Sequence, residues 1–369
     1  MTASEAHVLH LCAGNLYGGV ERIVAECARS RVRCPSLIPI FGVCFDGRLA
    51  EEIEAAGAVC RRLGPVRFSR PHTLWRARRT LARLLAGDRP SAVICHSSWM
   101  FAIAAPVVRR TGARLILWLH DRVSGRPWTE RWAARTRPDL VISNSRFTAE
   151  TVPALFTGVD AVVLYAPVAG GGDAGDARVH VRRSLGAADD EVVILVASRF
   201  EEWKGHRELL LAASRLAGPW RVWIAGAAQR EHEHAYVAEL QSLASASGIA
   251  DRVTFLGDRR DVPALMRAAD VHCQPNTGPE PFGLAFVEAL YAARPVVTSD
   301  SGGAREIVTS DCGILVPPGD DQALVSALQR LVSDPALRQR LGAAGPARAQ
   351  TLCDPTDQLH RLRNLLAPI

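Results

Sequence analysis

The residue types that most directly suggest chemistry lie in a short segment near the middle of the chain. Lys204 is the only lysine among 44 basic side chains, which indicates a position where a compact ammonium with three rotatable donors is needed. Arg199 lies five residues earlier, after an apolar run, and Gly205 follows the lysine. Two cations in such a loop are suited to bind a diphosphate, although a surface lysine retained by chance would give the same pattern.

A second segment combines a tight loop, rich in proline and glycine, with a short helix predicted from Leu284 to Ala293. The free N–H groups at the start of such a helix favour an anion. Glu280 lies in the preceding loop and Glu288 lies inside the helix. Carboxylates at these positions are suited to accept hydrogen bonds from the hydroxyls of a sugar and of a ribose. A capped helix with a solvated glutamate is the alternative interpretation.

Histidines follow two of the apolar runs, at strand ends where parallel sheets bind ligands. His120 stands next to Asp121, and this pair is expected at a site. For His96, a position lining the site and a buried structural position both remain open. His232 and His234 alternate on a polar helix, where a solvated face is expected rather than a metal site. The sequence has no Asp-x-Asp motif, so it does not indicate a metal-bound diphosphate.

Short apolar runs predict the strands that must position these side chains. They are residues 8–12, 92–95, 115–119, 140–142, 161–165, 192–197, 221–225, 253–256, 271–273, 295–298 and 314–316. Helical patterns separate the runs, and continuous apolar strands alternating with helices predict parallel sheets that are covered on both faces. We therefore expect an α/β protein with two doubly wound parallel-sheet (Rossmann-like) domains facing a cleft.

The predicted boundaries follow from a glycine-rich stretch near the middle of the chain. The first domain covers residues 1–168, the linker 169–180 and the second domain 181–350. Residues 351–369 are expected to form a C-terminal helix that crosses back to the first domain.

Composition is ordinary for a globular protein, with 369 residues and 48% hydrophobic side chains. No apolar run approaches the ~20 residues of a membrane-spanning helix, and the first residues do not resemble a signal peptide. The nine cysteines are odd in number and scattered, which favours unpaired thiols in a reduced compartment. A cytoplasmic protein is therefore expected.

Charge is divided unevenly along the chain, because residues 1–168 carry 23 arginines and 13 acids, a net charge of +10. Part of this charge lies on a predicted amphipathic helix, on which Arg76, Arg79 and Arg83 share one face. That face fits an anionic membrane surface or a charged acceptor, and it also fits an ordinary outer helix with solvated arginines. Nucleic-acid binding is disfavoured, since only Phe68 and Trp75 are interleaved with the basic residues.

Several segments, taken in order over about residues 6 to 345, resemble the retaining glycosyltransferases of family four, which have the GT-B fold. The segments are Gly18-Gly19-Val20-Glu21, His120-Asp121, Ser143-Asn144-Ser145, Ala166-Pro167, Ser198-Arg199, Lys204-Gly205, Glu280-Pro281-Phe282-Gly283 through Glu288, Ser301-Gly302-Gly303 with Glu306, and Pro317-Pro318-Gly319-Asp320. Each segment alone is a weak signal, whereas the ordered set is specific.

The resemblance implies a transferase that moves a sugar from a nucleotide diphosphate sugar to a hydroxyl acceptor, in the synthesis of bacterial surface polysaccharide or glycoconjugate. It implies catalytic roles for His120, Arg199, Lys204 and Glu280. The donor-binding residues that it implies are Gly18, Gly19, Arg199, Lys204, Glu280, Phe282, Gly283, Leu284 and Glu288.

The remaining roles are expectations of the same kind. His96 and Asp121 are expected on the acceptor side, and Arg76, Arg79 and Arg83 at the inner face of the cell membrane. The donor is expected to be a UDP, GDP or similar nucleotide sugar, and the acceptor a sugar or a lipid-linked molecule. We expect no cofactor, no metal requirement and no nucleic-acid partner. A sugar-nucleotide epimerase of the same fold is the alternative function, and it would turn over a donor without an acceptor.

Overall fold

The computed structural model describes residues 5–171 and 177–367. Within them the chain divides into two compact units. The first unit consists of residues 1–169 and 353–369, and the second of residues 170–352. Most of the glycine-rich stretch expected as a linker, residues 172–176, lies outside the described residues, and a helix begins at Ala177, inside the range expected for that linker.

The first unit is built on a seven-stranded sheet with the order β3-β2-β1-β4-β5-β6-β7. Its strands are β1 (Ala6–Cys12), β2 (Leu37–Val43), β3 (Val59–Arg62), β4 (Ala92–Cys95), β5 (Arg114–Leu119), β6 (Leu140–Ser143) and β7 (Ala161–Val163). The helices between them are α1 (Gly19–Arg29), α2 (Arg48–Ala55), α3 (Pro71–Asp88), α4 (Ser98–Val108), α5 (Trp128–Ala133) and α6 (Arg146–Ala149). Every strand pair is parallel, as expected for strands that are apolar on both faces.

The second unit has a six-stranded parallel sheet with the order β10-β9-β8-β11-β12-β13. Its strands are β8 (Val192–Ala197), β9 (Trp220–Ala225), β10 (Val253–Gly257), β11 (Val271–Gln274), β12 (Val296–Ser299) and β13 (Gly313–Val316). Its helices are α7 (Ala177–Ser184), α8 (His206–Ala213), α9 (Glu231–Ala246), α10 (Val262–Ala268), α11 (Leu284–Tyr291), α12 (Ala304–Ile307), α13 (Asp321–Ser333) and α14 (Pro335–Cys353).

A last helix, α15 (Pro355–Leu365), groups with the first unit. Arg114 of β5 donates hydrogen bonds to the carbonyl oxygens of Leu365 and Ala367, at 3.0 and 3.1 Å. The helix also contacts α1. The C-terminal segment is therefore part of the first unit, although α14 begins in the second.

The strand order reverses once in each sheet, between β1 and β4 in the first unit and between β8 and β11 in the second. In doubly wound sheets the crevice beyond the carboxyl ends of the strands at this reversal is the usual ligand position. The two α/β sheets confirm the predicted fold class. A ligand site is therefore expected among the residues that follow β1, β4, β8 and β11.

Candidate functional site

In the second unit, the loops after β8 and β11 meet through a buried ion pair. The Nζ atom of Lys204 lies 2.7 Å from Oε2 of Glu280, and the two side chains are 13% and 8% exposed. Gly205 allows the loops to approach, because it has a φ of +79° and a Cβ placed there would lie 2.0 Å from the carbonyl oxygen of Pro275. The two residues that the sequence assigned to different parts of a ligand thus contact each other directly.

Two buried amides complete the environment of the Glu280 carboxylate. Gln274 Nε2 donates to Glu280 Oε2 at 3.0 Å, and Asn276 Nδ2 donates to the same oxygen at 3.3 Å. Gln274 also donates to Asn276 Oδ1 at 2.9 Å. A buried carboxylate requires such donors, because burial without them is strongly unfavourable. Gln274 was not predicted from the sequence, and Asn276 was marked only by its position after the carboxyl end of β11.

The loop that carries Glu280 is held in place by backbone contacts with two glycines. The N–H of Gly303 donates to the carbonyl oxygen of Glu280 at 2.7 Å, and Gly302 forms an isolated parallel bridge with Glu280. A Cβ on Gly302 would lie 2.3 Å from that carbonyl oxygen, and the residue also has a φ of +63°. Only glycine fits such a position without moving the loop. The Ser301-Gly302-Gly303 segment therefore fixes the position of the Glu280 backbone.

Helix α11 starts immediately after this loop. Gly283 precedes it with a φ of +102°, and a Cβ there would lie 2.2 Å from the Phe286 ring. Phe282 is buried, whereas Glu288 is half-buried on the second turn. The helix ends at Tyr291 rather than at the predicted Ala293, because Ala293 adopts a left-handed conformation with a φ of +56° that cannot continue the helix.

Arg199, the other cation of the predicted diphosphate pair, has a separate partner. Its guanidinium lies 3.0 Å from the carboxylate of Glu201. Lys204 Nζ lies 4.0 Å from the centre of the Trp203 ring, in cation–π geometry. The binding of one diphosphate by both cations stays a prediction, since each cation is paired with its own carboxylate.

In the first unit, the glycine-rich turn before α1 is anchored by charged side chains. The N–H of Gly18 donates to Glu21 Oε2 at 3.0 Å, and Gly19 begins the helix. Tyr17 donates to Glu52 Oε2 at 2.7 Å, and the Arg48 guanidinium lies 3.9 Å from the centre of the Tyr17 ring. The turn is therefore held in place on both sides.

Three histidines lie in a row across neighbouring strands of the first unit: His10 lies within β1, His96 directly after β4 and His120 directly after β5. His10 Nδ1 and His96 Nε2 are 3.0 Å apart, and His96 Nδ1 and His120 Nε2 are 2.9 Å apart. His96 is thus buried and bonded to two other imidazoles, a position the sequence analysis left open. His10 was missed, because a histidine inside an apolar strand gives no motif. Asp121 is exposed, and Asn144 Nδ2 donates to the His120 carbonyl oxygen at 3.0 Å.

Burial shifts the titration of these rings strongly. It lowers the pKa of His10 and of His120 to about 3. It also lowers the pKa of His96 well below the ordinary value, and the neighbouring His120 and His10 add to that effect. All three imidazoles are therefore neutral at physiological pH.

The basic helix α3 has the two faces that the sequence predicts. Arg76, Arg79 and Arg83 are exposed, whereas Ala77 and Leu81 are buried. A fourth arginine of α3, Arg78, instead turns inward and donates to the carbonyl oxygens of residues 102 and 103. Across the described part of the chain, no helix combines the length and the apolar character that membrane crossing requires.

A metal site is not found among the described residues, where no three histidine, cysteine, aspartate or glutamate side chains are grouped to bind an ion. His232 and His234 are exposed on α9, as predicted for a solvated face. The nine cysteines are all unpaired, and every one except Cys60 is buried.

Comparison with known proteins relates this geometry to a family. Residues 17–168 match the profile described as Glycosyltransferase Family 4, and residues 178–348 match the profile described as Glycosyl transferases group 1. Among solved structures, the Anabaena protein HepE in complex with UDP and glucose has a TM-score of 0.87. That match has 24% sequence identity and covers 98% of this chain and 99% of HepE.

Two curated relatives show the similarity in sequence. A phosphatidyl-myo-inositol mannosyltransferase of Mycobacterium leprae is 44% identical over 110 residues, which are 29% of each chain. A lipopolysaccharide core biosynthesis glycosyltransferase of Rhizobium meliloti is 30% identical over 172 residues, 46% of this chain and 48% of the relative. This chain therefore spans less than half the length of either relative. The two profiles match nearly all of the described chain in the expected order, and the protein belongs to the family four type of glycosyltransferases.

Proposed function

We propose that this protein is a retaining glycosyltransferase that moves a sugar from a nucleotide diphosphate sugar to a hydroxyl acceptor. The observation that carries the proposal is the buried Lys204–Glu280 pair at the strand-order reversal of the second sheet. It places an ammonium and a carboxylate side by side, directly before the N-terminus of α11. This combination is suited to a ligand that has both a diphosphate and sugar hydroxyls.

The Lys204 ammonium has three donors, and Glu280 Oε2 accepts only one of them. The remaining donors are available to diphosphate oxygens, on which negative charge grows as the sugar leaves. Arg199 would exchange its Glu201 partner for the same diphosphate. The N–H groups at the start of α11 add partial positive charge. These groups supply the electrostatic stabilisation that a metal provides in other transferases, so we propose that activity needs no metal.

Glu280 would accept hydrogen bonds from hydroxyls of the transferred sugar, together with the backbone of residues 282–284. Its position is fixed by Gln274, Asn276 and the backbone of Gly303. The sugar hydroxyls would therefore bind to a carboxylate that is held rigidly in place. Glu288, half-buried on α11, would bind the ribose hydroxyls of the nucleotide. The two carboxylates therefore distinguish the two ends of the donor.

Retention follows from transfer on one face of the sugar. The bond between the anomeric carbon and the phosphate oxygen breaks while the bond to the acceptor oxygen forms on the same side. The acceptor proton passes to a phosphate oxygen of the leaving group, so no separate base is required. Family membership supports this route.

The acceptor is proposed to be a sugar or a lipid-linked molecule of a bacterial surface glycoconjugate. The named activities of the relatives, on phosphatidyl-myo-inositol and in lipopolysaccharide core synthesis, support this class. The exposed face of Arg76, Arg79 and Arg83 would bring the protein to an anionic membrane surface where such acceptors are found. The donor is proposed to be a UDP or GDP sugar.

The test is a panel of nucleotide sugars, screened by thermal stabilisation and by slow hydrolysis of the donor. Glu288→Ala should weaken the binding of both the free nucleotide diphosphate and the sugar nucleotide. The expected loss of binding free energy is about 1.5–3 kcal/mol, the range for charged hydrogen bonds. Glu280→Gln should weaken the binding of the sugar nucleotide and leave the binding of the free nucleotide diphosphate unchanged. The control is Arg207→Ala, an exposed arginine three residues after Lys204. Equal losses for both ligands in both glutamate variants would contradict the assigned roles, and no response to any nucleotide sugar would contradict the function.

A further inference from the structure

A tryptophan lies against the buried ion pair of the second unit. The Nζ atom of Lys204 lies over the Trp203 ring, 4.0 Å from its centre, and 2.7 Å from Oε2 of Glu280. The ammonium therefore has two neighbouring partners of different kinds, an aromatic face and a carboxylate. Both partners attract a cation, but only the carboxylate offers it a strong hydrogen-bond acceptor.

Trp203 is itself held by the loop that carries Glu280. Its carbonyl oxygen accepts a hydrogen bond from the N–H of Thr277 at 2.9 Å. Its side chain packs over Gly278, since a Cβ placed on that glycine would lie 3.5 Å from the Trp203 Cβ and 3.8 Å from its Cε3. Trp203 lies in the loop after β8, whereas its two partners lie in the loop after β11. The position of the ring is therefore fixed relative to both loops.

The local backbone sets Trp203 and Lys204 side by side, in a 3₁₀ turn that covers Glu202–Lys204. The N–H that follows the turn donates to its first carbonyl oxygen at 3.1 Å. This turn cannot fix the Nζ atom, because the ammonium stands at the end of a flexible four-carbon stem. The position of Nζ must therefore be set by its partners. One of them, Glu280, is also required for the sugar hydroxyls in the proposed function.

An aromatic ring is suited to hold this cation because it does not compete with a phosphate. A second carboxylate in the place of the ring would cancel the positive charge and occupy another of the three ammonium donors. The face of an indole attracts a cation, more strongly where water is excluded. It contributes no lone pair that a phosphate oxygen would have to displace. The ring thus restrains the ammonium and leaves its charge available to a ligand.

We propose that Trp203 is a positioning residue for sugar transfer, whose ring holds the Lys204 ammonium beside Glu280 and keeps it there when a diphosphate binds. The catalytic value of this position rests on the proposed function, whereas the contact between ring and ammonium does not. Negative charge grows on the diphosphate as the sugar leaves, so a displaced ammonium loses more stabilisation in the transition state than in the bound donor. Loss of the ring should therefore lower kcat more than it raises the KM for the donor.

The contact is tested by NMR of the free protein labelled with ¹³C and ¹⁵N in lysine. Lys204 is the only lysine of the chain, so the spectrum contains a single lysine side chain. Its ε protons lie near the face of the indole, and the ring current should move their resonance upfield. We expect this upfield shift in the wild type and its loss in Trp203→Leu. The same ε-proton shift in both proteins would overturn the proposal.

The persistence of the contact is tested by titrating the labelled protein with inorganic pyrophosphate, which has the diphosphate but neither base nor sugar. The ¹⁵N resonance of Lys204 Nζ should shift on binding, while the ε protons should keep their upfield position. Binding that moves the ε protons to their position in Trp203→Leu would overturn the positioning role. An Nζ resonance that responds to neither pyrophosphate nor any nucleoside diphosphate would contradict the proposed function and, with it, the catalytic part of the proposal. The spectrum of the free protein would still decide the contact.

Steady-state kinetics of donor hydrolysis separate the aromatic face from its volume. Trp203→Leu should lower kcat about 2- to 30-fold, the range for loss of a cation–π contact, with a smaller change in the KM for the donor. Trp203→Phe keeps an aromatic face and should retain more of the wild-type kcat. The matched control is Trp75→Leu, the same substitution at a second cation–π pair, in which Arg79 lies 5.3 Å from the ring centre; it should leave kcat unchanged. Equal kcat in Trp203→Phe and Trp203→Leu, or a loss confined to KM, would overturn the positioning role.

Discussion

At the scale of single residues, the protein concentrates opposite charges in a place with little solvent. Lys204 and Glu280 are 13% and 8% exposed, and the carboxylate also accepts from Gln274 and Asn276. Removing one partner of such a pair leaves an uncompensated buried charge. The same side chains are therefore expected to affect both stability and turnover, and a test must separate the two.

Lys204→Ala should lower kcat by roughly 100- to 1,000-fold, the range for loss of one donor that stabilises transition-state charge. It should also lower the free energy of unfolding by about 3 kcal/mol, since Glu280 loses its cation. Lys204→Arg should not retain the wild-type kcat, because a guanidinium is longer and planar and cannot take the position of a compact ammonium in this nearly buried contact. The measurements are steady-state kinetics and urea denaturation.

The double variant Lys204→Met with Glu280→Gln is the control for folding, because it removes both charges at once. It should regain most of the lost stability and remain inactive. Turnover in Lys204→Ala close to that of the wild type would contradict the role of the ammonium, whatever its stability.

At the scale of elements, the sequence predicted most strands but not the shape of the loops. Each of the eleven predicted runs overlaps a strand, although the runs 161–165 and 295–298 extend beyond β7 and β12, and β2 and β3 were missed. β2 contains Pro39 and Gly42, which break an apolar pattern. Gly42 is nevertheless required there, because a Cβ would lie 2.7 Å from the Leu11 side chain. β3 is an exposed edge strand that ends in two arginines, so no buried face marks it.

For the candidate site, the sequence likewise predicted which residues take part but not how they are arranged. The sequence identified Lys204 and Glu280 by residue type and resemblance, but it could not show their contact. That contact joins loops 76 residues apart in sequence and depends on left-handed glycines that admit another backbone at close range. His10 was likewise invisible, because its contact with His96 arises only when β1 and β4 become neighbours.

The loop glycines allow a prediction at this scale. Gly302→Ala should displace the Glu280 loop, because its Cβ would lie 2.3 Å from the Glu280 carbonyl oxygen. Both the affinity for the sugar nucleotide and the free energy of unfolding should therefore decrease. Gly319→Ala is the matched control, since Gly319 has a similar φ of +76° but nothing within 4 Å of the new Cβ. The control should cost only the strain of a left-handed alanine, about 1–2 kcal/mol.

Thermal denaturation and calorimetric titration of both glycine variants make the comparison. If Gly302→Ala and Gly319→Ala lose equal stability and both bind the donor normally, the Glu280 loop does not depend on the close approach of Gly302.

At the scale of the whole molecule, buried histidines should make stability depend on pH. Burial lowers the pKa of His10, His120, His206 and His272 from 6.5 to about 3; for His206 the charge of Lys204 adds to the effect. These rings bind protons when the chain unfolds between these two pH values. The free energy of unfolding should therefore fall as the pH falls below 6.5, by about 1.4 kcal/mol per pH unit for each histidine.

Denaturation in urea between pH 7.5 and pH 4.5 measures this slope. His206→Gln should reduce it by about 1.4 kcal/mol per pH unit, because a buried amide does not titrate. His232→Gln, at an exposed position on α9, should leave the slope unchanged. A slope equal to that of the wild type in His206→Gln would show that His206 does not contribute.

The uneven charge also belongs to the whole molecule, with +10 on residues 1–168. Three arginines near an anionic surface contribute about 1 kcal/mol each and act only within a Debye length. The protein should therefore sediment with acidic liposomes at low salt and dissociate at high salt. Arg76→Ser with Arg79→Ser and Arg83→Ser should abolish this binding.

The control for total charge is the triple Arg→Ser variant at Arg33, Arg110 and Arg135, which are also exposed in the first unit. This variant should retain most of the binding. Equal losses in both triple variants would indicate a response to net charge rather than to the α3 face, and no wild-type binding at low salt would favour an acceptor that is not held in a membrane.

The central claim, sugar transfer with retention at the Lys204–Glu280 site, is tested most directly by time-resolved proton NMR of a reaction with EDTA. The reaction contains the best donor from the panel and a hydroxyl acceptor, and the first anomeric signal of the product is recorded before mutarotation or further reaction. We predict a product with the anomeric configuration of the donor, formed at an undiminished rate in EDTA and lost in Lys204→Ala. A first product with the opposite configuration, or a rate that collapses in EDTA and returns with added metal, would contradict the account.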